Sequence, residues 1–549
     1  MTDKKKVLFI TESHHLASGF GTYAKQVLPR LAATGKYHLA EFASYGDPAR
    51  VGELPWDYYN NSPATPEETE QFNSSPANSF GIWKFARVIL DFKPDVVLTY
   101  RDPWMDEWIK ESPLRKYFHW VWMPTVDSYP QKRRWLESFA SCDAILTYSE
   151  FGKKVLDKQS RGSINTIGCA SPGIDPVLYK PVDDKAKHKQ SLGLPPDSLV
   201  VGTVMRNQTR KLFIELMKSF RTFLDNAPKE LADRSFLYLH TSYPEKGGWD
   251  IEEGILENGL SDKVYCTYVC RSCGHWEPSK YQGIIRTCPK CHQRTSYMPN
   301  VGHGLSIEDL IKVYNLMDLY VQYAICEGFG MPQVEATCCG VPLAAPDYSA
   351  MQDVVENTGG YPIKIEKMFR ELNTNADRVY PDNDHLAEII SEYFSKDPDF
   401  RKNKSKQVRE ATMNRYDWDE TAAIWENYID SYEPSGLQGR WDSPPNMVQI
   451  PDAPPQGLSN EQFIHWCFTY LLQSPERISS YDAHKYIASL EYGCFVDGSY
   501  GPHLEGASVD GLFNLFKNKA NENNTIELLR TGQAQGIPMN FLMKGVAND

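Results

Sequence analysis

Short apolar runs alternate with stretches whose apolar residues fall three and four apart, and this alternation covers most of the chain. Residues 7–11 are a run of strand type, while 22–33 carry Tyr23, Val27, Leu28 and Leu31 on one helical face and stop at Gly35. The pattern predicts strand 38–43, a polar, Pro-rich loop through Pro76, helix 83–92, strands 95–100 and 119–123, helix 132–140 and strand 144–148. It resumes with strand 200–205, helix 212–224 and strand 236–241. Ser306-Ile-Glu-Asp309 then opens a helix that leads to the apolar run 319–325. Alternation of this kind predicts an α/β protein built on doubly wound parallel sheets. At 549 residues the chain is long enough for two or three domains.

The pattern changes near residue 435. Residues 435–455 are rich in Pro and Gly, as a linker is. Ser459-Asn-Glu-Gln462 is a capping box before a stretch with Phe463, Trp466, Cys467, Tyr470 and Leu471 at helical spacing, and further helices are predicted at 483–491, 509–519 and 525–531. No catalytic constellation occurs there. The aromatic stripe reads as core, with oligomerisation or partner docking through this segment left open.

Composition narrows the class. With 41% hydrophobic and 23% charged residues and a mean hydropathy of −0.49, the chain reads as a soluble globular protein. A net charge of −13 implies no general affinity for nucleic acid or anionic membrane, so any such affinity must be local. No apolar run approaches the length of a membrane span. The run 7–10 is too short for a signal peptide, and a cytoplasmic protein is expected. Four of the twelve Cys form two Cys-x-x-Cys pairs and the rest are scattered among apolar residues, which suits a reducing compartment.

Those pairs, Cys270-Arg-Ser-Cys273 and Cys288-Pro-Lys-Cys291, are separated by a hairpin-sized segment and predict tetrahedral thiolate ligation of a structural Zn2+ in a ribbon over residues 266–298. No coordination position is left open, so the zinc is not expected to be catalytic. Arg271, Lys280, Arg286, Lys290 and Arg294 face a single acid, Glu277, with Trp276, Tyr281 and Tyr297 interleaved. The plainer reading is a metal-stapled insertion with a solvated surface. The sharper one is a grip on a phosphate-bearing acceptor, nucleic acid included.

Glu327-Gly-Phe-Gly-Met-Pro-Gln-Val-Glu335 follows the apolar run 319–325, with Pro332 suited to a first helical position and Gly340 to the residue past a short helix. A strand, a glycine loop and a helix start make an anion-binding arrangement, because the glycines admit a ligand close to the backbone and the helix aims free N–H groups at it. Carboxylates on either side can each accept hydrogen bonds from hydroxyls, so the implied ligand is a polyhydroxylated phosphate ester. Glu335 in a first turn is also an ordinary dipole partner. Arg206 and Lys211 lie where a strand gives way to a helix, a place where the dipole disfavours cations and a diphosphate would favour them. Gly19-Phe-Gly21 opens a second glycine loop; it formally matches a dinucleotide fingerprint with Glu41 as ribose acid, but several residues separate it from the strand. Asp127, just beyond strand 119–123, either forms an Asx turn before Pro130 or faces a ligand. His240 is either a core histidine or a cleft residue.

The Glu327–Glu335 motif, with Tyr314, Asn315 and Asp318 ahead of it, resembles the signature of retaining GT-B glycosyltransferases of family four; Ser149-Glu-Phe151, Ser171-Pro-Gly173-Ile-Asp175 and Tyr416-Asp-Trp418 resemble other landmarks of that family. The resemblance covers about residues 5–432 apart from the ribbon. It implies two Rossmann-like domains facing a cleft: residues 1–180, completed by a returning helix at about 413–432, and residues 196–412, followed by linker 433–457 and a helical appendage 458–549. It also implies transfer of a sugar from a nucleotide-sugar donor, with no catalytic metal. In that reading Arg206 and Lys211 neutralise the leaving diphosphate, Glu327 holds donor-sugar hydroxyls, Glu335 holds the ribose, and Asp127 orients the sugar. Gly328, Phe329, Gly330, Met331, Gly19 and Gly21 line the donor site. The acceptor stays open between a glycan and a hydroxylated base in DNA, and a nucleotide-sugar-binding module without turnover or a nicotinamide-binding protein are the remaining alternatives.

Overall fold

The computed structural model describes residues 4–300, 302–432, 437, 439–473, 487 and 509–533. Two units emerge, Met1–Leu16 with Ala32–Val121 and Tyr432–Asp549, and Ala17–Leu31 with Trp122–Ser431.

In the first unit the apolar runs become strands that are buried on both faces, which is why they read as continuous rather than alternating. β1 (Lys5–Thr11), β2 (Tyr37–Ala43), β3 (Asp57–Asn60), β4 (Val96–Thr99) and β5 (His119–Trp122) stand in the order β3-β2-β1-β4-β5, and the pairs formed among the first four are parallel. Helix Ile82–Phe92 buries Trp83, Phe85, Val88, Ile89 and Phe92. The stretch expected to be an unbroken loop through Pro76 instead holds β3 and helix Pro66–Asn73, whose Thr65 side chain caps it through the Glu68 N–H. That helix buries none of its residues, so no apolar stripe marked it.

The tail belongs to this unit. Helix Asn460–Trp466 starts in the expected capping box, while the helices expected at 509–519 and 525–531 are one, Val509–Arg530, because no Pro or Gly interrupts 521–525. The helix expected at 483–491 lies outside the described residues apart from Ile487. Phe463, Cys467, Phe468, Leu471, Phe513 and Phe516 form a small core with Trp466 packed against it, while Tyr470, which the stripe also placed in the core, is exposed. The tail also touches the unit's older part: Trp441 stacks on Tyr117 at 5.0 Å, and Glu527 accepts from the Tyr117 hydroxyl and pairs with Lys116 at 3.0 Å and Arg530 at 2.8 Å.

In the second unit β6 (Ala144–Thr147) and β7 (Thr166–Cys169) pair in parallel. Its larger sheet contains β8 (Leu199–Val204), β9 (Ser235–His240), β10 (Val264–Cys270), β11 (Trp276–Lys280), β12 (Ile285–Arg286), β13 (Ser296–Tyr297), β14 (Leu319–Val321), β15 (Leu343–Pro346) and β16 (Tyr361–Ile363). The order is β12-β13-β10-β9-β8-β14-β15-β16, with β11 on β10; the β8, β9, β14, β15 and β16 pairings are parallel, and β11 to β13 are antiparallel. A separate hairpin pairs β17 (Ile365–Arg370) with β18 (Asp377–Pro381). Helix Phe213–Asn226 packs Phe213, Leu216, Met217, Phe220, Phe223 and Leu224 against the sheet, the spacing that marked it in the sequence. The ribbon grows out of this sheet directly, since β10 runs without a break into its first cysteine, Cys270.

Gly19 and Gly21 do not form a loop. Both lie in the first turn of helix Gly19–Ala33, where Ser18 receives the Gly21 N–H on its side chain and the Thr22 N–H on its carbonyl. Glycine's low helix propensity hid that start. The helix packs by Tyr23 against helix Trp418–Ser431, whose Trp425 indole donates to the Tyr23 hydroxyl at 2.7 Å.

Candidate active site

The larger sheet brings two chain crossings side by side. Beyond β8, Lys211 bridges Ala324, the Leu212 N–H donates to Tyr323 O at 3.0 Å, and the Ile325 N–H donates to Arg210 O at 3.0 Å. These backbone bonds lace the segment after β8 to the segment after β14. Their consequence is that Arg210 and Lys211 arrive at Glu327.

Glu327 is 5% exposed. One carboxylate oxygen pairs with the Lys211 ammonium and accepts from the Gln322 amide, and the other receives Arg210 Nη1 at 2.9 Å. Its backbone N–H donates to Ser349 Oγ at 3.0 Å. Ser349 begins helix Ser349–Thr358 with φ of 56°, a left-handed conformation that serine rarely adopts, and the strain places that hydroxyl under Glu327. Burial, and then the neighbouring Arg210 cation, pull the pKa of Lys211 well below its ordinary value. A carboxylate between two cations is what keeps an ammonium at that depth.

The glycines beside Glu327 have distinct uses. A Cβ on Gly328 would stand 2.4 Å from Thr125 Cγ2, so a side chain there would force Thr125 to shift. Gly330 caps helix Met331–Cys338 with φ of 84°, which favours glycine, and the Gln333 amide closes over it to donate to Phe329 O at 2.9 Å. Pro332 occupies the first turn and Gly340, with φ of 74°, follows the helix, as the sequence predicts. Phe329 is buried against Tyr416 and Met331 starts the helix. One turn on, Glu335 accepts from Tyr314 OH at 2.5 Å and Tyr179 OH at 3.3 Å, and burial pushes its pKa up. It is therefore more than a dipole partner, because two hydroxyl donors hold it while lone pairs remain for a ligand.

Asp127 is held by Arg378, with Nη1 to Oδ1 at 2.9 Å, by the Ser128 hydroxyl at 2.9 Å and by the Cys326 thiol at 3.3 Å. Arg378 also reaches Cys326 Sγ at 2.8 Å and Glu371 at 3.0 Å. Asp127 thus joins the Glu327 strand end through Cys326. Arg206 is elsewhere: it is exposed and its guanidinium is paired with Glu245. His240, partly buried at the end of β9, has its Nδ1 2.9 Å from Thr267 Oγ1, and burial pulls its pKa down to about 4.

The structure therefore gathers Lys211, Glu327, Gly328, Gly330 and, through Cys326, Asp127. Three participants escaped the sequence reading. Arg210 sits next to Lys211, but nothing local separates it from Arg206, which precedes the same helix. Arg378 and Ser349 carry no local signal.

The four cysteines converge. Their sulfurs all lie within 4.8 Å of one another, with Cys270 to Cys291 at 3.5 Å and Cys273 to Cys288 at 3.7 Å. A tetrahedron with Zn–S bonds of ~2.3 Å has edges of ~3.8 Å, so this donor set fits a tetrathiolate metal centre. The two knuckles repeat one another: the Cys270 N–H donates to His275 O at 2.8 Å and the Cys288 N–H to Gln293 O at 2.9 Å.

Comparison with known proteins bears on the fold and the family. Residues 298–406 match the family described as glycosyl transferases group 1. A D-inositol 3-phosphate glycosyltransferase of Stackebrandtia nassauensis is 26% identical over 210 residues, 38% of this chain, and the match spans only 39% of that relative's own length. Among solved structures, sucrose-phosphate synthase from Thermosynechococcus elongatus superposes with a TM-score of 0.56 at 18% identity, covering 78% of this chain and 98% of the other. Anabaena HepE in complex with UDP and glucose gives 0.53 at 15%, with 78% and 100% covered. These likenesses establish the two-domain α/β GT-B fold. Among the described residues, no helix is long and apolar enough to cross a membrane.

Proposed function

We propose that this chain, whose residues 298–406 are a glycosyltransferase group 1 domain, transfers a sugar from a nucleotide-sugar donor to an acceptor hydroxyl with retention of configuration. The observation that carries the reading is the convergence of Lys211 and Arg210 on the buried Glu327 carboxylate, beside the N-terminus of helix Met331–Cys338.

In this proposal the donor diphosphate lies against that helix start, where free N–H groups and the dipole favour an anion. Lys211 and Arg210 stabilise the charge that grows as the bond from the anomeric carbon to the diphosphate oxygen breaks. Arg206 joins them by leaving Glu245. Glu327 holds hydroxyls of the donor sugar, Asp127 orients it, and Glu335 holds the ribose. The acceptor oxygen attacks from the face the diphosphate leaves, and its proton passes to the departing phosphate oxygen, so no protein base is required. Counter-charge comes from side chains rather than a catalytic metal. The Cys270, Cys273, Cys288 and Cys291 cluster holds a structural zinc outside this chemistry.

The test is to incubate purified full-length protein with a panel of nucleotide sugars and follow release of the nucleoside diphosphate. One donor should be hydrolysed slowly without acceptor, water serving in its place. A well-folded protein that neither binds nor hydrolyses any member would overturn the reading. The glycosidic product of a matched acceptor, examined by NMR, should keep the donor's anomeric configuration.

A further inference from the structure

The ribbon's cations are not used up within the protein. Its one carboxylate, Glu277, is paired with Arg286 at 3.2 Å. Among the described residues Arg271, Lys280, Lys290 and Arg294 form no ion pair, and all four are exposed. Residues 270–298 hold five Lys or Arg and one Glu, a balance of +4, in a chain of net charge −13. A zinc tetrathiolate adds −2 and still leaves the ribbon positive.

Three of these cations surround the cysteine cluster. Arg271 and Lys290 occupy the spacer positions of the two Cys-x-x-Cys pairs, whose sulfurs Cys270 and Cys291 lie 3.5 Å apart. The Arg271 N–H donates to Thr295 O at 2.9 Å, which brings the neighbouring Arg294 to the same end. The Arg271 guanidinium carbon lies 3.9 Å from the centre of the Tyr297 ring, an overlaid pair of flat groups. Four converging thiols that could hold a metal ion tie this cluster to the end of a short antiparallel ribbon.

We propose that the knuckle end of the ribbon is a docking surface for single-stranded nucleic acid, with backbone phosphates on Arg271, Lys290 and Arg294 and an unstacked base against the Arg271–Tyr297 pair. Single strands are held by this combination of cations and flat side chains, which does not depend on sequence. A duplex is a poorer fit, because among the described residues the ribbon offers no helix for a major groove, its β10–β11 hairpin is tied into the larger sheet through β9, and β12 and β13 are only two residues long. An anionic bilayer is a poorer fit too. The exposed residues of the second knuckle, Pro289, Lys290, His292, Gln293 and Arg294, include no large apolar side chain that could enter it.

The test uses the zinc-loaded full chain, a fluorescein-labelled 20-nucleotide DNA and anisotropy titrations from 50 to 200 mM NaCl, without any sugar donor. It is therefore independent of the transfer reaction and can fail while that reading stands. Three phosphate contacts give a slope of about −2 in log affinity against log salt, so affinity should fall by about twentyfold over that range. The triple variant Arg271→Gln, Lys290→Gln, Arg294→Gln should lose most of that slope and at least tenfold in affinity. Tyr297→Leu should weaken binding several-fold and leave the slope intact. Zinc content is measured for each variant; if the triple variant loses metal, Lys290→Gln alone should still lower the slope by about 0.7. Failure of the wild-type chain to bind the oligonucleotide at 50 mM salt, or binding by the variants equal to wild type, would overturn the proposal. Association with phosphatidylglycerol vesicles but not with the oligonucleotide would overturn it in favour of a membrane surface.

Discussion

Lys211 and Glu327 form an ion pair in which the two side chains are only 7% and 6% exposed. Removing one partner of such a pair strands a charge and costs about 3–5 kcal/mol, so alanine at either position would confuse stability with chemistry. Lys211→Met is the cleaner variant, since it keeps length and leaves Glu327 paired with Arg210. It should melt within a few degrees of wild type by calorimetry, while donor turnover drops by about 10²- to 10³-fold, the usual loss for a preorganised charge stabiliser. Turnover at the wild-type rate would remove Lys211 from the proposed reaction.

Asp127 and Arg378 are the second coupled pair. Arg378 has Glu371 as a further carboxylate partner, so Asp127→Asn does not strand it. Arg378→Met frees Asp127 to move, and the effect should appear in kcat more than in stability. A double-mutant cycle on kcat/KM should give a coupling of about 1–2 kcal/mol, in the range for residues in direct contact. Additive losses would mean that Arg378 does not position Asp127.

The sequence made these sites legible to different depths. Strands such as β1, β8 and β9 announced themselves, because a strand buried on both faces must be apolar throughout. β3 and helix Pro66–Asn73 did not, since an edge strand and a solvent-facing helix satisfy their backbones without an apolar pattern. The cysteine cluster was readable because its ligand spacing is itself the chemistry. The choice between Arg206 and Arg210 was not, for both precede the same helix and only the cross-chain bonds to Tyr323 and Ile325 decide which one meets Glu327. Arg378 lies 52 positions from the Cys326 it touches, and no local pattern reports such a contact.

Metal removal provides a third test. The purified chain should carry about one zinc per molecule, and Cys291→Ser should lower that figure to near zero, measured by elemental analysis, because three thiolates bind far less tightly than four. Loss of the metal should raise hydrogen exchange through 270–298 while exchange in β8 and β9 stays low, since those strands have their own apolar core. Unchanged zinc in Cys291→Ser would overturn the ligand set.

His240 gives stability a pH dependence. Its pKa is near 4 in the fold and about 6.5 when unfolded, so between those values the unfolded chain binds the extra proton. Stability should therefore fall as pH drops from about 6.5 to 4 and gain no further penalty from this group below that. The pKa difference sets a ceiling of about 3 kcal/mol, nearer 2 once the ring's partial exposure is allowed for. His240→Asn preserves an atom facing Thr267 and cannot titrate, so urea denaturation at pH 5 and pH 7 should show a smaller difference for the variant than for wild type.

Arg206 poses the sharpest question, because its guanidinium is committed to Glu245 and 56% exposed while Arg210 already touches Glu327. If Arg206 serves the donor diphosphate, it must first leave Glu245, and the cost of leaving enters the donor's KM. Glu245→Gln would remove the competing carboxylate and keep the hydrogen bond from Ser242. That variant should lower donor KM several-fold with kcat nearly unchanged, and Arg206→Ala should raise KM and reduce kcat together. Should Arg206→Ala instead turn over normally while Arg210→Ala loses at least tenfold in kcat, the diphosphate would belong to Lys211 and Arg210 alone. The exposed arginine would then be no more than Glu245's surface partner, a pair of the kind that contributes roughly 0–1 kcal/mol to stability.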